Sequence, residues 1–203
     1  MLLSTVLGYD IHKTSMIGFS IVAAKKVRIE ARTKIGHFTV VRNLALLEMA
    51  EASSIGNFNT ISGAPLEQNV FFRTETDRRP QLILHPHATV THSHLIDCCN
   101  SVIVGAFATV AGWRTQILTH SIDIASNHQR SAPVSIGAYS FVGTSCILLM
   151  GATLPDRSIL AAGSVLSRAQ TEQCSLYAGV PATKVKDLDP NSAYFSRQSA
   201  QVA

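Results

Sequence analysis

The segment Ile117-Leu118-Thr119-His120-Ser121-Ile122-Asp123 sets a histidine at the mouth of a stretch that departs from the pattern of the rest of the chain. Imidazole, with a reference pKa of about 6.5, can accept a proton from a hydroxyl at neutral pH, and such general-base help is worth typically ~10²–10⁴-fold in rate. His128, in Ser126-Asn127-His128-Gln129, is a second candidate base, and Asp123 is the nearest carboxylate in sequence able to orient the His120 ring. His85, His87, His92 and His94 invite a metal reading. Zinc needs three or four ligands converging at about 2.0–2.1 Å, and these spacings do not supply them. They read instead as corner and surface residues, with His94 directed toward an acceptor cleft. Cys98, Cys99, Cys146 and Cys174 form neither a CxxC pair nor a disulfide framework, so free and mostly buried thiols are expected.

The elements that must position these residues are legible as a repeat of six. Steps of six from Ile11 mark Ile17, Ala23, Ile29, Ile35 and Val41. After a slip of two they mark Met49, Ile55 and Ile61. The series returns at Leu84, Val90 and Ile96, slips again to Val104, Val110 and Gln116, and closes as Ile136, Val142, Leu148, Leu154, Leu160 and Leu166. All of these but Ala23 and Gln116 are large aliphatics. Neither a helix of period 3.6 nor a strand of period 2 gives that spacing. The next residue is often glycine (Gly18, Gly36, Gly56, Gly105, Gly137, Gly143), and a small residue such as Thr39, Ala88, Ser140 or Cys146 precedes the next aliphatic by two. A short flat strand, a tight corner and a second strand at about 120° then build a triangular prism, three hexads to a coil. About seven coils rising ~4.8 Å each give roughly 34 Å of all-β solenoid.

Two interruptions break the prism, at about residues 64–81 and 120–133. Excursions from a rigid scaffold are where binding and catalysis concentrate. On this register Asn100 occupies the hexad position of His120 one coil earlier, where it can hydrogen-bond the base or an acceptor. The domain is expected to span residues 1–187, with a short tail over 188–203.

The [Leu/Ile/Val]-Gly-x-x-small-x hexad resembles that of the hexapeptide-repeat acyltransferases, over about residues 11–187. It is closest to the sugar, maltose and galactoside O-acetyltransferases and the capsule and lipopolysaccharide type. The resemblance implies a left-handed parallel β-helix, against the usual right-handed crossover. It also implies acetyl-CoA as cosubstrate, with direct transfer of acetyl to a hydroxyl of a saccharide or saccharide precursor and His120 as general base. Phe141-Val142-Gly143-Thr144, Leu160-Ala161-Ala162-Gly163-Ser164-Val165 and Tyr177-Ala178-Gly179-Val180-Pro181-Ala182 resemble the family's closing signature. By that resemblance Thr144 and Ala162 line the pantetheine channel, while Ser167, Arg168 and Lys184 or Lys186 meet the adenosine phosphates. Backbone amides near Gly143-Thr144 or Ala162-Gly163 would stabilise the oxyanion. Thr183 departs from the basic residue that family members often carry after Gly-Val-Pro-Ala. A homotrimer with sites between neighbours follows from the same likeness, and the histidine spacings above give the expectation that no metal is required. A γ-carbonic-anhydrase-like zinc enzyme, an N-acyltransferase on an amino sugar and a non-catalytic β-helix scaffold stand as alternatives.

Composition bounds the rest. The 203 residues are 46% hydrophobic and only 15% charged, which excludes disorder and suits one domain. No run of 18 apolar residues suggests a membrane span. The opening residues lack a basic region and a cleavage site, so a cytoplasmic location is expected. The net charge of +4 is compatible either with solubility or with attraction to an anionic ligand. Scattered cations and 6% aromatics argue against nucleic acid.

Overall fold

Strands of two or three residues cannot hold themselves, so each hexad depends on the coils above and below. In the computed structural model, which describes residues 8–67 and 71–200, they stack as three parallel walls of a left-handed β-helix. The first wall runs from Asp10–Ile11 through Gln81–Leu84, Val102–Val104 and Val134–Ile136 to Thr153–Leu154. The second runs from Met16–Ile17 through Ser54–Ile55, Thr109–Val110 and Phe141–Val142 to Ser175–Gly179, where Ala182–Asp187 closes it antiparallel. The third contains Thr60–Ser62, Leu95–Asp97, Gln116–Leu118, Ile147–Leu148 and Val165–Leu166. In the first two coils the corner between the third and first walls is opened out, because the strands Ile21–Ile29 and Val40–Met49 run continuously round it.

The inward aliphatics form one column per wall. Val41, Ile61, Leu84, Val90, Ile96 and Leu154 have no exposed surface, each contributing about 1.5–3 kcal/mol by burial. The small residues two places before them, among them Thr39, Ala88, Ala108, Ser140 and Cys146, are equally buried in the corners. Two marked positions are corrected. Val22 rather than Ala23 faces the core, and Ile117 is buried where Gln116 is exposed. The second shift has a local cause: the corner after Val110 carries one extra residue, accommodated at Gly112 with φ +68°. A Cβ there would stand 2.5 Å from that of Thr144, so only glycine fits.

Most corners place a non-glycine residue at φ near +60°, which costs of order 1 kcal/mol each. Stacking down the edges offsets part of it. His87, Phe107 and Tyr139 stack at 4.5 and 4.7 Å between centroids, and Phe38 stacks on Phe58 at 5.3 Å. The C-terminal segment returns to the first of these ladders. Its short helix Ala193–Ser196 buries Phe195, and the Arg197 guanidinium lies 3.8 Å over the Tyr194 ring while donating to the Phe107 carbonyl. Among the described residues no helix is long and apolar enough to cross a membrane. Residues 1–7, which carry the expectation of no leader, lie outside the described residues, as do 68–70 and 201–203.

Candidate active site

Both interruptions leave the prism at one edge, where the third wall turns into the first. Ser62, Asp97 and Leu118 are register partners on successive coils. After Ser62 the chain makes its first excursion, returning at Gln81; after Leu118 it forms an antiparallel hairpin of His120–Asp123 and His128–Ser131. Between them, Cys98–Cys99–Asn100–Ser101 turns the edge tightly with no excursion. Rigid coils therefore hold the roots of two loops one coil either side of Asp97.

His120 begins the hairpin, and its Nδ1 lies 2.6 Å from Asp97 Oδ2. The same carboxylate accepts the Thr119 amide at 2.9 Å and, on its other oxygen, the Cys99 amide at 2.9 Å. Burial pushes the Asp97 carboxyl up, but the hydrogen bond from His120, the Cys99 donors and the His120 charge outweigh it and hold the group below its ordinary range. Asp97 is thus ionised and can only accept, so Nδ1 of His120 carries the proton and Nε2 is left as the basic nitrogen. The hydrogen bond to Asp97 raises the His120 pKa against the opposing effect of burial. The His120 side chain remains 38% exposed, against 11% for Asp97, so the dyad is anchored on one side and open on the other.

The first excursion packs against this dyad. Phe72 is buried and meets the His120 ring edge-on at 5.9 Å. The Arg78 guanidinium, only 2% exposed, sits 4.3 Å over the Phe72 ring and donates to the carbonyls of Ala64, Pro65 and Cys99. Glu75 reaches across to the hairpin, where its Oε2 accepts both the amide and the hydroxyl of Ser131, the cross-strand partner of His120.

Asn100 is placed behind the hairpin. Its Nδ2 donates to Ser131 Oγ at 3.1 Å, its Oδ1 accepts the Ser101 amide, and its own amide donates to Thr119 Oγ1. The register sets Asp97 opposite Leu118, one residue off the alignment expected from Gln116, and this slip separates Asn100 from the level of His120. Asp123 faces the hairpin tip, where its Oδ1 accepts the Ala125 and Ser126 amides; these bonds, Ser126 first, lower its pKa. Asp97, not singled out from sequence, is the carboxylate on the imidazole. Its signal was a lone acid between Leu95-Ile96 and Cys98-Cys99, one residue after an inward aliphatic and one coil before the candidate base.

The remaining candidates divide between edges. Ser167 and Arg168 follow Leu166 at the same edge as His120, two coils along, and are exposed. Thr144 and Ala162 lie on the neighbouring edge, between the second and third walls. There Thr144 Oγ1 donates to the Trp113 carbonyl and accepts its amide, and Gly143 stacks on Ala162, where a Cβ would come within 2.7 Å of the Ala162 nitrogen. Lys184 is tied between Glu172 at 2.6 Å and Asp187 at 2.7 Å, which raises its pKa. Lys186 is exposed on the closing strand opposite Leu176.

Of the four clustered histidines, His94 is buried rather than facing a cleft. Its Nδ1 accepts the Thr115 amide, its Nε2 meets Thr91 Oγ1, and burial lowers its pKa to about 4. His92 accepts the Asn57 amide, and His87 stacks on Phe107. Among the described residues, the one group of His, Cys, Asp and Glu with donor atoms within 4.8 Å of one another is Asp97, Cys99 and His120. Burial pushes the Cys99 thiol well up, so without a metal beside it the group is a neutral thiol at neutral pH.

No protein-family model and no curated protein matches the sequence. Solved structures do match in fold. The polysialic acid O-acetyltransferase OatWY superposes with a TM-score of 0.65 at 17% identity, covering 94% of this chain and 90% of that one. The polySia-specific acetyltransferase NeuO gives 0.52 at 15% identity, with 88% and 80% covered. A point mutant of AntD, an N-acyltransferase from Bacillus cereus solved with dTDP-4-amino-4,6-dideoxyglucose and coenzyme A, gives 0.52 at 12% identity, with 86% and 83% covered. The chain therefore has the left-handed β-helix fold of the hexapeptide-repeat acetyltransferases.

Proposed function

We propose that the protein is an acyltransferase that moves acetyl from acetyl-CoA directly to a hydroxyl of a saccharide or saccharide precursor. The observation that carries this reading is the Asp97–His120 dyad, held at 2.6 Å and open to solvent between two loops on a fold shared with acetyltransferases. In the mechanism, His120 Nε2 takes the acceptor hydroxyl proton as the oxygen attacks the thioester carbonyl. The ring becomes imidazolium, which Asp97 stabilises, and the proton passes to the departing CoA thiolate. Gly143 and Gly163 already donate their amides to Leu160 and Thr144, so donors to the developing oxyanion on that edge fall to Thr144 and Ala162.

The two-edge distribution supports a homotrimer. Thr144 and Ala162 stand on a different edge from His120, Ser167 and Arg168, and a threefold assembly would set one prism's channel edge beside its neighbour's base. The N-acyltransferase reading shares fold, cosubstrate and base, and the likeness to AntD keeps it as the second reading. A cytoplasmic location and independence of metal complete the proposal.

The test is a calorimetric titration of acetyl-CoA into the purified, metal-analysed protein, followed by turnover of His120→Ala. Saturable binding with Kd of about 1 mM or tighter is expected, at least ~4 kcal/mol. The variant should lose roughly 10²–10⁴-fold in turnover at unchanged acetyl-CoA affinity. No binding at millimolar ligand, or wild-type turnover in the variant, would overturn the assignment.

A further inference from the structure

Residues 71–75 of the first excursion run along one face of the catalytic hairpin. Cross-strand partners of an antiparallel pair share a face, so His120, Ser131, Ile122 and Gln129 all lie on it. Phe72 meets the His120 ring edge-on, and Glu75 takes Ser131. Two cross-strand pairs further out, Phe71 and Arg73 close with Ile122, Asn127, His128 and Gln129 around a pocket of about 330 Å³. That is the lower end of the ~300–1,000 Å³ usual for small-ligand sites, and room for a sugar-sized group.

The lining has a definite chemistry. Phe71 is 70% exposed, an aromatic face turned to solvent beside the pocket. Asn127 and Gln129 supply carboxamides, and Gln129 Oε1 is buried with no hydrogen-bond partner among the described residues. Arg73 supplies positive charge and His128 an imidazole, and no carboxylate is among the residues that line the pocket. Two neighbouring cations are spent: Arg78 on three carbonyls, and Arg130 on Glu75 at 3.5 Å. Arg73 makes no ion pair among the described residues. A C–H face of a sugar ring suits Phe71, its hydroxyls suit the carboxamides, and a planar or tetrahedral anion suits a free guanidinium.

We propose that this pocket is the acceptor subsite and that it selects an anionic saccharide, with the carboxylate or phosphate on Arg73 and the reacting hydroxyl reaching inward to His120. This rests on the acyltransferase reading and names its acceptor class. The carboxylate of a sugar acid and the diphosphate of a sugar nucleotide share the chemistry, and the experiment separates them.

Binding to the full-length protein is measured for two matched pairs: a sialic acid trimer against its methyl ester, and UDP-N-acetylglucosamine against N-acetylglucosamine. At least one charged member should bind about tenfold or more tightly than its neutral partner. Arg73→Gln should abolish that preference and leave the neutral probes and acetyl-CoA unaffected, whereas Arg114→Gln, an exposed arginine on the neighbouring edge, should keep it. Preference for the first pair assigns the anion to a sugar carboxylate, and for the second to a nucleotide diphosphate. Equal affinity in both pairs, no binding at 10 mM, or a preference that survives Arg73→Gln overturns the subsite. Because the measurement is of binding, charge selectivity without acetyl transfer would retain the subsite and remove the acyltransferase reading.

Discussion

Asp97 and His120 are 23 residues apart in sequence and one coil apart in the prism, and their side chains meet at 2.6 Å. The contact is fixed from beneath by strand register, since Leu95–Asp97 pairs residue for residue with Gln116–Leu118, and from the side by the Thr119 and Cys99 amides on the carboxylate. A solenoid thus does for this pair what a strand–loop–strand unit does elsewhere. It makes two residues distant in sequence neighbours, at a spacing the backbone ladder sets.

The first consequence concerns the pH profile. A base must be neutral to act, and Asp97 raises the His120 pKa above its ordinary 6.5, so kcat/KM should fall as pH drops through a value above 6.5. Asp97→Asn removes the charge and the obligate acceptor, and frees the imidazole to adopt the other tautomer. The acid limb should move to lower pH while the plateau drops about 10²-fold or more. Asp123→Asn, at the hairpin tip, should leave the limb in place. An unmoved limb in Asp97→Asn would refute the coupling.

Stability should carry the same signature. The raised pKa of His120 means its stabilisation is fully present below about 6.5 and is lost as pH rises through the higher folded value. The lowered pKa of Asp97 means its share is present above 3.8 and is lost as pH falls through the folded value below that. The pair therefore stabilises within the window between them. Thermal unfolding should show His120→Gln further below wild type at pH 5.5 than at pH 8.5. Equal gaps at the two pH values would mean that the ion pair contributes nothing to folding.

Much of this architecture was readable in the hexads because an inward aliphatic and a small corner residue repeat on a fixed period, and burial enforces both. Leu84, Val90 and Ile96 show it, each on a different wall of one coil. The reading failed where one residue was added or lost at a corner, as at Gly112, because a single insertion moves the inward position without altering composition. That slip carried into the site, where it aligned Asn100 with His120 and hid Asp97. The clamp made by Phe72, Glu75 and Arg78 was beyond reach for a different reason: loop-to-loop contacts have no period, and only the shared edge brings the two excursions together.

Arg78 is the test of that clamp. Arg78→Met keeps the aliphatic stem but leaves the Ala64, Pro65 and Cys99 carbonyls without their donor and removes the cation over Phe72. The loss should be about 2–3 kcal/mol, a fall in Tm of roughly 5–10 °C. Proteolytic cleavage should appear within residues 62–80 before the prism opens. A variant with wild-type Tm and an uncut loop would show that the excursion is held by other contacts.

The cosubstrate-phosphate candidates can be separated by the company they keep. Lys184 is held between Glu172 and Asp187, so a phosphate would have to compete with two carboxylates already within 2.7 Å. Arg168 is exposed at the edge that carries His120, and its guanidinium can meet a phosphate with two parallel hydrogen bonds. Arg168→Ala should therefore weaken acetyl-CoA binding about tenfold, with a smaller change for dephospho-CoA if the 3′-phosphate is the partner. Lys184→Ala should alter affinity by less than about threefold and lower stability only slightly, because solvent screens an exposed ion pair. Titration of the two variants against both nucleotides decides the matter: a larger loss in Lys184→Ala than in Arg168→Ala would move the phosphate site from the His120 edge to the closing strand Ala182–Asp187.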